Sequence, residues 1–177
     1  MRIISGIYKG KRLNPPKNLP VRPTTDFAKE GLFNVLQNQL YFDELKVLDL
    51  FAGTGSITFE FASRGCEQIK CVDLNFKCVD FIRKTAKQLN FENIIVFKSN
   101  VFKYLGSGKE SFDLIFADPP YDLENLESIP DLVFSNNKLN EDGLLIVEHS
   151  KKTDFSEHDK LIETRRYGNV NFSFFKE

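Results

Sequence analysis

The segment KVLDLFAGTG, residues 46–55, joins a short apolar run to a turn that holds two glycines. Asp49 lies inside the apolar run, and Gly53 and Gly55 follow it. An apolar run of strand length that enters a glycine-rich turn and then a helix is typical of the first strand of an open α/β sheet. Such turns lie at the carboxyl edge of the sheet, where glycine lets the backbone approach a bound ligand closely.

Strands and helices alternate from this segment onward. The sequence predicts strands at 46–51, 68–73, 94–97, 112–117 and 144–148, and helices at 56–63, 76–89, 101–105 and 123–134. Two closing strands, 161–167 and 171–175, flank a Gly168-Asn169 turn that favours an antiparallel hairpin. Strands separated by helices form right-handed βαβ units. We therefore predict a Rossmann-like α/β fold, with a mainly parallel seven-stranded sheet and an antiparallel C-terminal hairpin.

The beginning of the chain differs from the rest. Residues 2–13 hold short apolar pieces separated by two glycines, which indicates a small hairpin or edge strand. Residues 14–24 contain four of the seven prolines and are predicted to form an extended loop. The next segment has apolar residues at helical spacing, with Thr24 or Thr25 placed to cap it. The 177 residues predict a single domain, to which residues 1–24 add a basic arm.

Basic residues are concentrated at the start of the chain. The net charge of −1 alone argues against a nucleic-acid partner, yet residues 1–29 hold seven Lys or Arg side chains and one acid, Asp26. A basic arm on an acidic body suits contact with phosphates, and it equally suits a solvated terminal segment. If the arm binds nucleic acid, the candidate contacts are Arg2, Lys9, Lys11, Arg12 and Arg22.

The cysteines and histidines show no metal-binding spacing. Cys66, Cys71 and Cys78 form no C-x2-C pair, and neither histidine is near them in sequence, so we expect neither a metal site nor a disulfide framework. The sequence shows no signal-type apolar segment at its start and no apolar run of membrane-spanning length. We expect a reduced, cytoplasmic protein with no membrane partner.

The glycine turn suits a nucleoside without phosphates better than a nucleotide. A dinucleotide fingerprint would need a glycine where Thr58 stands, and the Lys of a phosphate-binding P-loop is missing as well. Asp49 at the strand tip can hold an ammonium group, and Asp73 at the end of the second strand can accept hydrogen bonds from both ribose hydroxyls. An ammonium group and an unphosphorylated ribose together indicate S-adenosylmethionine as the cofactor. The other predicted pocket residues are those of the turn, Phe51, Gly53 and Gly55.

The sequence Asp118-Pro119-Pro120-Tyr121 follows a very apolar predicted strand and so lies at the same sheet edge. The two prolines fix the backbone and remove two N–H donors, which leaves the Asp118 carboxylate and backbone carbonyls as acceptors. Two acceptors can orient an amino group so that its nitrogen lone pair points at an activated methyl group. Tyr121 supplies a flat face for an extruded base. Asp118, Pro119 and Tyr121 are therefore the candidate catalytic residues.

These motifs resemble those of the class I S-adenosylmethionine-dependent methyltransferases, and more narrowly those of the 16S rRNA guanine-N2 methyltransferase family. The narrower resemblance covers nearly the whole chain and rests most on RPTTD at 22–26 and on the compact length. It extends to YKGKRL at 8–13 and to closing segments at 147–150, 167–168 and 173–175. It implies methyl transfer to N2 of one guanine in small-subunit rRNA, on an assembled or nearly assembled particle. Nothing in the sequence demands more than a monomer.

The resemblance also implies roles for residues outside the two motifs. Thr25 would lie near the methionine end of the cofactor, and Leu74, Asn100 and Val101 would complete the pocket. Asn100 stands where related enzymes usually carry an Asp that binds the adenine amino group, and its side-chain oxygen can still accept that bond. Residues 27–29, FAK, replace a more usual basic-hydrophobic-Arg pattern, which weakens one expected phosphate contact.

Three other functions fit parts of the sequence. An adenine-N6 methyltransferase acting on DNA or RNA would use the same Asp-Pro-Pro-Tyr chemistry, but 177 residues leave no room for a separate region that reads the DNA major groove. A compact enzyme takes its specificity from the shape of its substrate, which favours structured RNA. A protein glutamine methyltransferase would also use a Pro-Pro-Tyr motif, but such enzymes commonly have Asn in place of Asp118, and the basic arm also argues against this function. A non-enzymatic RNA-binding module with a vestigial pocket would not need intact Gly53, Gly55, Asp73 and Asp118.

Overall fold

A computed structural model describes residues 1–16, 19 and 25–177 of the chain. The strands in this part of the chain are β1 (Lys46–Leu50), β2 (Gln68–Asp73), β3 (Ile94–Lys98), β4 (Phe112–Ala117), β5 (Leu139–His149), β6 (Leu161–Tyr167) and β7 (Val170–Phe175). The helices are α1 (Asp26–Leu36), α2 (Ser56–Ser63), α3 (Phe76–Gln88), α4 (Val101–Leu105) and α5 (Ile129–Ser135), with short 3₁₀ helices at Phe42–Glu44 and Leu126–Ser128.

The seven strands of the described chain form one sheet in the order β3-β2-β1-β4-β5-β7-β6, which confirms the predicted fold. The first five strands pair in parallel, and β7 pairs antiparallel with both β5 and β6. The chain moves outward from β1 to β3 and then returns past β1 to β4, so the strand order reverses between β1 and β4. Open α/β sheets bind ligands in the crevice at such a switch point. The glycine turn and the Asp-Pro-Pro-Tyr segment both leave the sheet there.

Both faces of the central strands are buried, and successive residues alternate between two apolar clusters. In β1, Val47 belongs to the cluster under α1, α2 and α3, whereas Leu48 and Leu50 belong to the cluster under α4 and α5. The α1 side of β4 and β5 holds Leu114, Phe116, Leu144 and Ile146. The α5 side holds Ile115, Ala117, Leu145 and Val147. This period of two places Asp49 and Glu148 on the α1 face of the sheet.

The helix predicted at 123–134 begins later than expected. The chain first turns where the Leu123 N–H donates to the Pro120 carbonyl at 2.9 Å, and a 3₁₀ helix follows before α5 starts. The prediction of an α-helix from residue 123 was wrong because a turn and a 3₁₀ helix can carry apolar residues at nearly helical spacing. Residues 118–125, which we name the target loop, therefore stay outside regular helix.

Two strand boundaries also differ from the prediction. β5 begins at Leu139 rather than at 144, and its register against β4 shifts between Phe112 and Leu114. β1 ends at Leu50, one residue before the predicted end, because Phe51 adopts a left-handed φ of 59° that no strand contains. The second difference matters for the site, since the cofactor turn begins at Phe51.

Residues 1–13 form the predicted hairpin and pack into the core of the domain. Arg2 and Arg12 pair across an isolated antiparallel bridge. Ile3 and Leu13 are buried in the cluster under α1. The hairpin is thus held by apolar packing, although its outer surface is basic.

α1 begins at the predicted place. Thr25 caps the helix, and its hydroxyl accepts the Ala28 N–H at 3.2 Å. The predictions of Thr24 as an alternative cap, of Arg22 as a nucleic-acid contact and of an extended loop at 14–24 fall wholly or partly outside the described residues.

A buried carboxylate fastens the hairpin to α2. Glu60 accepts backbone N–H bonds from Ile4 at 2.7 Å and from Ser5 at 3.0 Å. It also pairs with Arg64 at 2.9 Å and lies 3.7 Å from the ammonium group of Lys29. Burial lowers the pKa of Lys29, while the charge of Glu60 opposes that effect. Lys29 is 1% exposed, so it serves the interior and is not a surface cation.

The described residues include no helix with the length and apolar character needed to cross a membrane. Within the same residues, no group of three or more His, Cys, Asp or Glu side chains is placed to hold a metal ion. Cys66, Cys71 and Cys78 are buried thiols, and burial raises the pKa of each.

Candidate active site

A cleft of about 1000 Å³ opens at the switch point between β1 and β4. It brings together the residues predicted for the cofactor and for the target. The predicted residues that line it are Thr25, Asp49, Phe51, Gly53, Asp73, Leu74, Asn100, Val101, Asp118, Pro119 and Tyr121. Gly55 does not line the cleft: it precedes α2 as its N-cap, and a Cβ there would come within 2.9 Å of the Phe59 ring. Because Gly55 has no side chain, α2 can start close beneath the turn.

The turn after β1 passes through three left-handed residues, Phe51 (φ 59°), Gly53 (φ 54°) and Gly55 (φ 75°). The Gly55 N–H donates to the Ala52 carbonyl at 2.7 Å, which closes the turn. The Ala52 N–H donates to the Val72 carbonyl at 3.1 Å, which ties the turn to β2. A turn this tight presents backbone to the cleft and so allows a ligand to approach closely.

Asp73 connects the end of β2 to the turn. Its Oδ2 accepts the Gly53 N–H at 2.8 Å, and its Oδ1 accepts the Asn75 N–H at 2.7 Å. Burial raises the pKa of Asp73, and the two backbone bonds oppose that effect because they stabilise the ionised form. Each carboxylate oxygen can accept a further bond, so two ribose hydroxyls can bind without displacing the backbone donors.

Asp49 is a buried acid on the α1 face of β1, and it is 1% exposed. Burial raises its pKa to about 7, an effect that the nearby Asp73 charge increases and that hydrogen bonds from Thr58 oppose. The Thr58 hydroxyl donates to Asp49 Oδ2. A cation delivered into the cleft would favour the ionised carboxylate, because opposite charges attract strongly where water is excluded.

α4 frames the opposite end of the cleft. Asn100 caps this helix, and its Oδ1 accepts the Lys103 N–H at 3.1 Å. The rings of Phe51 and Phe102 meet edge to face with their centroids 6.5 Å apart, and both rings line the cleft. An adenine amino group would share the Asn100 oxygen with the helix cap, which is possible because an amide oxygen has two lone pairs.

The target loop is fixed to the cofactor side through its backbone. The Asp118 N–H donates to the Leu50 carbonyl at 3.2 Å, which joins the first residue of the loop to the last residue of β1. Pro119 is buried, whereas Tyr121 is 43% exposed. The Tyr121 hydroxyl donates to Glu148 Oε1 at 3.1 Å. The loop thus places the Asp118 carboxylate and the Tyr121 ring at the wall of the same cleft.

Several cleft residues were missed by the sequence analysis. They include Phe27, Phe102, Glu148, Tyr167 and residues 168–170. Glu148 carries a signal that could have been used, because it is an acid at the end of an apolar strand, as Asp49 is within β1. Phe27 carries none: its spacing matches the buried face of α1, yet it is 67% exposed and meets Tyr167 edge to face at 6.2 Å.

The described candidates for nucleic-acid contact lie outside the residues that line the cleft. Lys9, Lys11 and Arg12 are exposed on the hairpin. Arg2 forms salt bridges of 3.2 and 2.9 Å with two acids of α1, Asp26 and Glu30. Exposed salt bridges of this kind contribute little free energy, so Arg2 can exchange them for another anion.

The fold and the cleft define the class of protein. The strand order is that of a class I methyltransferase. So are the glycine turn after β1, which lacks a phosphate-binding motif, and the Asp-Pro-Pro-Tyr loop after β4. The solved structure of the Escherichia coli protein yhhF matches it with a TM-score of 0.87 at 25% identity, covering 99% of this chain and 96% of that chain.

The chain belongs to the family described as conserved hypothetical protein 95, whose model matches residues 1–176. It is 34% identical to YlbH of Bacillus subtilis over 184 residues, covering 100% of this chain and 99% of YlbH. It is 29% identical over 182 residues to the ribosomal RNA small subunit methyltransferase D of Haemophilus influenzae, covering 99% of this chain and 93% of that protein. These matches confirm the family resemblance drawn from the motifs.

Proposed function

We propose that this protein transfers the methyl group of S-adenosylmethionine to the exocyclic N2 amino group of a guanine in small-subunit (16S) rRNA. The observation that carries the proposal is the backbone hydrogen bond from the Asp118 N–H to the Leu50 carbonyl, because it joins the target loop to the residue directly before the cofactor turn. The substrate class is supported by the relatives named ribosomal RNA small subunit methyltransferase D. We further propose that the enzyme acts as a monomer on rRNA within the small ribosomal subunit.

On the cofactor side, three polar side chains of the cleft match polar groups of S-adenosylmethionine. Asp73 would accept the ribose hydroxyls, Asp49 would pair with the ammonium group of the methionine end near Thr25, and Asn100 would accept from adenine. Phe51, Leu74, Val101 and Phe102 would enclose the rings. When bound, the cofactor supplies a methyl group already activated on a sulfonium centre, so the protein needs mainly to orient the reactants.

On the target side, Asp118 and a backbone carbonyl of the loop would accept the two protons of the guanine amino group. Held in this way, the nitrogen lone pair would be free to accept the methyl group that the bound cofactor supplies, and the demethylated cofactor would leave with the carbon–sulfur electron pair. The methylated nitrogen then loses one proton, to Asp118 or to solvent. Tyr121 would stack against the extruded base.

The test offers radiolabelled S-adenosylmethionine with unmodified small subunits, naked rRNA or duplex DNA, and then identifies the labelled nucleoside. We expect N2-methylguanosine from the subunits. N6-methyladenine would overturn the guanine assignment in favour of an adenine-N6 methyltransferase. If no nucleic acid is labelled, a protein substrate or a non-enzymatic RNA-binding module would replace the proposal.

Cofactor binding should strengthen as pH rises toward 7.5. Burial raises the pKa of Asp49 to about 7. In the ligand-free protein, the Asp49 carboxyl group is therefore mostly protonated at pH 6. An ammonium group needs the ionised form, and the Kd should therefore be roughly fivefold lower at pH 7.5 than at pH 6, once the partial deprotonation of the cofactor's own α-amino group at pH 7.5 is included. Isothermal titration calorimetry in two buffers would measure both the Kd and the proton released. The range stops at pH 7.5 because the α-amino group of the cofactor titrates above about pH 7.7.

The matched control is Asp49→Asn, which keeps an oxygen acceptor for Thr58 but does not titrate. It should bind S-adenosylmethionine more weakly, with a Kd that changes by less than about twofold across the same pH range. A wild-type Kd that is also constant would contradict the pairing of Asp49 with the ammonium group.

The arm is expected to act on the substrate and not on the cofactor. The double variant Lys11→Glu, Arg12→Glu should bind small subunits roughly 10- to 100-fold more weakly near 0.1 M salt. The plot of the logarithm of the association constant against the logarithm of the salt concentration should also become shallower, by about 1.5 in slope. Filter binding across a salt series measures both. Lys87→Glu with Lys109→Glu, two exposed cations elsewhere, makes the same charge change. Equal losses in the two double variants would show a general charge effect and refute the arm's role.

A further inference from the structure

The target side of the cleft holds a second carboxylate, that of Glu148. The residue lies near the end of β5 and is 3% exposed, although it lines the cleft. Ala117 pairs in register with Val147, so Asp118 and Glu148 follow neighbouring positions on adjacent parallel strands. Adjacent strands lie about 4.8 Å apart. The Tyr121 hydroxyl donates to Glu148 Oε1, which links Glu148 to the target loop.

Two neighbouring carboxylates distinguish the purines that carry an exocyclic amino group. In guanine, the N2 amino group lies beside N1–H, so these two neighbouring groups are both donors. In adenine, the N6 amino group lies beside an N1 lone pair, so the edge presents a donor and an acceptor. A carboxylate facing N1 would accept a bond from guanine and would repel the lone pair of adenine.

We propose that Glu148 accepts the N1–H of the target guanine while Asp118 holds its N2 amino group. Glu148 is then a specificity-determining residue that selects guanine over adenine. The inference rests on the proposed function, which assigns the amino group to guanine but names no group that reads N1. Burial makes the selection strong, because a wrong base would leave a desolvated carboxylate facing a lone pair.

The test uses small subunits reconstituted from ligated 16S rRNA that carries either guanine or 2,6-diaminopurine at the modified position. Diaminopurine keeps the same 2-amino group but has a lone pair at N1. We expect the wild-type enzyme to prefer guanine by at least roughly 100-fold in kcat/KM. Glu148→Gln offers an amide N–H to that lone pair, and its preference should fall to within about tenfold.

Tyr121→Phe is the matched control, because it removes the hydroxyl bond to Glu148 and leaves the carboxylate in place. It should retain the preference for guanine while losing rate on both substrates. The same fall in preference in Tyr121→Phe and Glu148→Gln would show that Glu148 only positions Tyr121, and would overturn the inference. So would an unchanged preference in Glu148→Gln.

The identity of the labelled base and two further measurements separate the possible failures. If the wild-type enzyme labels subunits at a base other than guanine, both the proposed function and this inference fail. If it labels guanine and Glu148→Gln keeps the preference, only the inference fails. Where turnover of a variant is too slow to measure, competition between the two subunit forms for binding gives the same preference. Unchanged affinity of Glu148→Gln for S-adenosylmethionine shows that the variant is folded.

Discussion

Asp118→Ala is expected to lower kcat/KM for methyl transfer by about 10³-fold or more, while the Kd for S-adenosylmethionine changes by less than about twofold. The loop should keep its place, because the bond to the Leu50 carbonyl comes from the backbone N–H of residue 118 and survives the substitution. What is lost is the charged acceptor that orients the amino group. Single-turnover transfer and equilibrium cofactor binding measure the two effects separately.

Asp122→Ala is the control for this result, because Asp122 is an exposed acid of the same loop that does not line the cleft. It should transfer methyl groups at nearly the wild-type rate. Asp118→Asn should fall between the two, since it keeps a neutral oxygen acceptor. Substantial activity in Asp118→Ala would remove Asp118 from the target site, and a matching loss of cofactor affinity would show that the substitution disturbs the turn after β1.

The parallel sheet and its switch point could be predicted from the sequence because β1, β4 and β5 are buried on both faces. Such strands appear as continuous apolar runs, and the turns that follow them contain the residues of the site. The chain order of these units fixes which turns share the carboxyl edge. The sequence alone therefore predicts that Asp49, Asp73 and Asp118 share one cleft.

The errors fall where local spacing does not determine the backbone. Residues 123–134 have apolar spacing that an α-helix, a 3₁₀ helix and a turn can all satisfy, so the start of α5 depended on the Leu123 to Pro120 bond. Phe27 follows the periodicity of α1 but lies at the cleft, because the C-terminal hairpin brings Tyr167 against it rather than the core. These contacts join distant parts of the chain and leave no local pattern.

Charge patterns were equally limited as a guide to exposure. Lys29 belongs to the basic N-terminal region in sequence, yet it is buried against Glu60, whose other partners include the backbone of Ile4 and Ser5. A count of charges cannot distinguish a cation that neutralises an internal carboxylate from one that faces solvent. The exposed basic surface of residues 1–29 is accordingly smaller than the composition suggests.

Gly6→Ala should destabilise the protein much more than Gly10→Ala, although both glycines have a φ of 81°. An alanine at either position costs about 1–2 kcal/mol for the left-handed backbone. A Cβ at Gly6 would also lie 1.8 Å from the Ser63 carbonyl oxygen, whereas a Cβ at Gly10 meets no atom within 4 Å. The comparison therefore isolates the contact between the hairpin and α2.

Relieving the clash at Gly6 requires the hairpin to move away from α2. That movement would break the bonds from the Ile7 N–H to the Ser63 carbonyl at 2.8 Å and from the Tyr8 N–H to the Ser63 hydroxyl at 3.0 Å. It would also remove backbone donors from the buried Glu60 carboxylate. We expect a loss of about 3 kcal/mol or more in the free energy of unfolding, against about 1–2 kcal/mol for Gly10→Ala.

Urea denaturation followed by circular dichroism gives both free energies. The same variants separate stability from substrate binding. At a temperature where Gly6→Ala is still folded, a displaced hairpin should weaken affinity for small subunits while the Kd for S-adenosylmethionine is unchanged. Equal destabilisation by the two substitutions would mean that the hairpin does not depend on its contact with Ser63. Unchanged subunit affinity in a destabilised Gly6→Ala would mean that rRNA is bound without the docked hairpin.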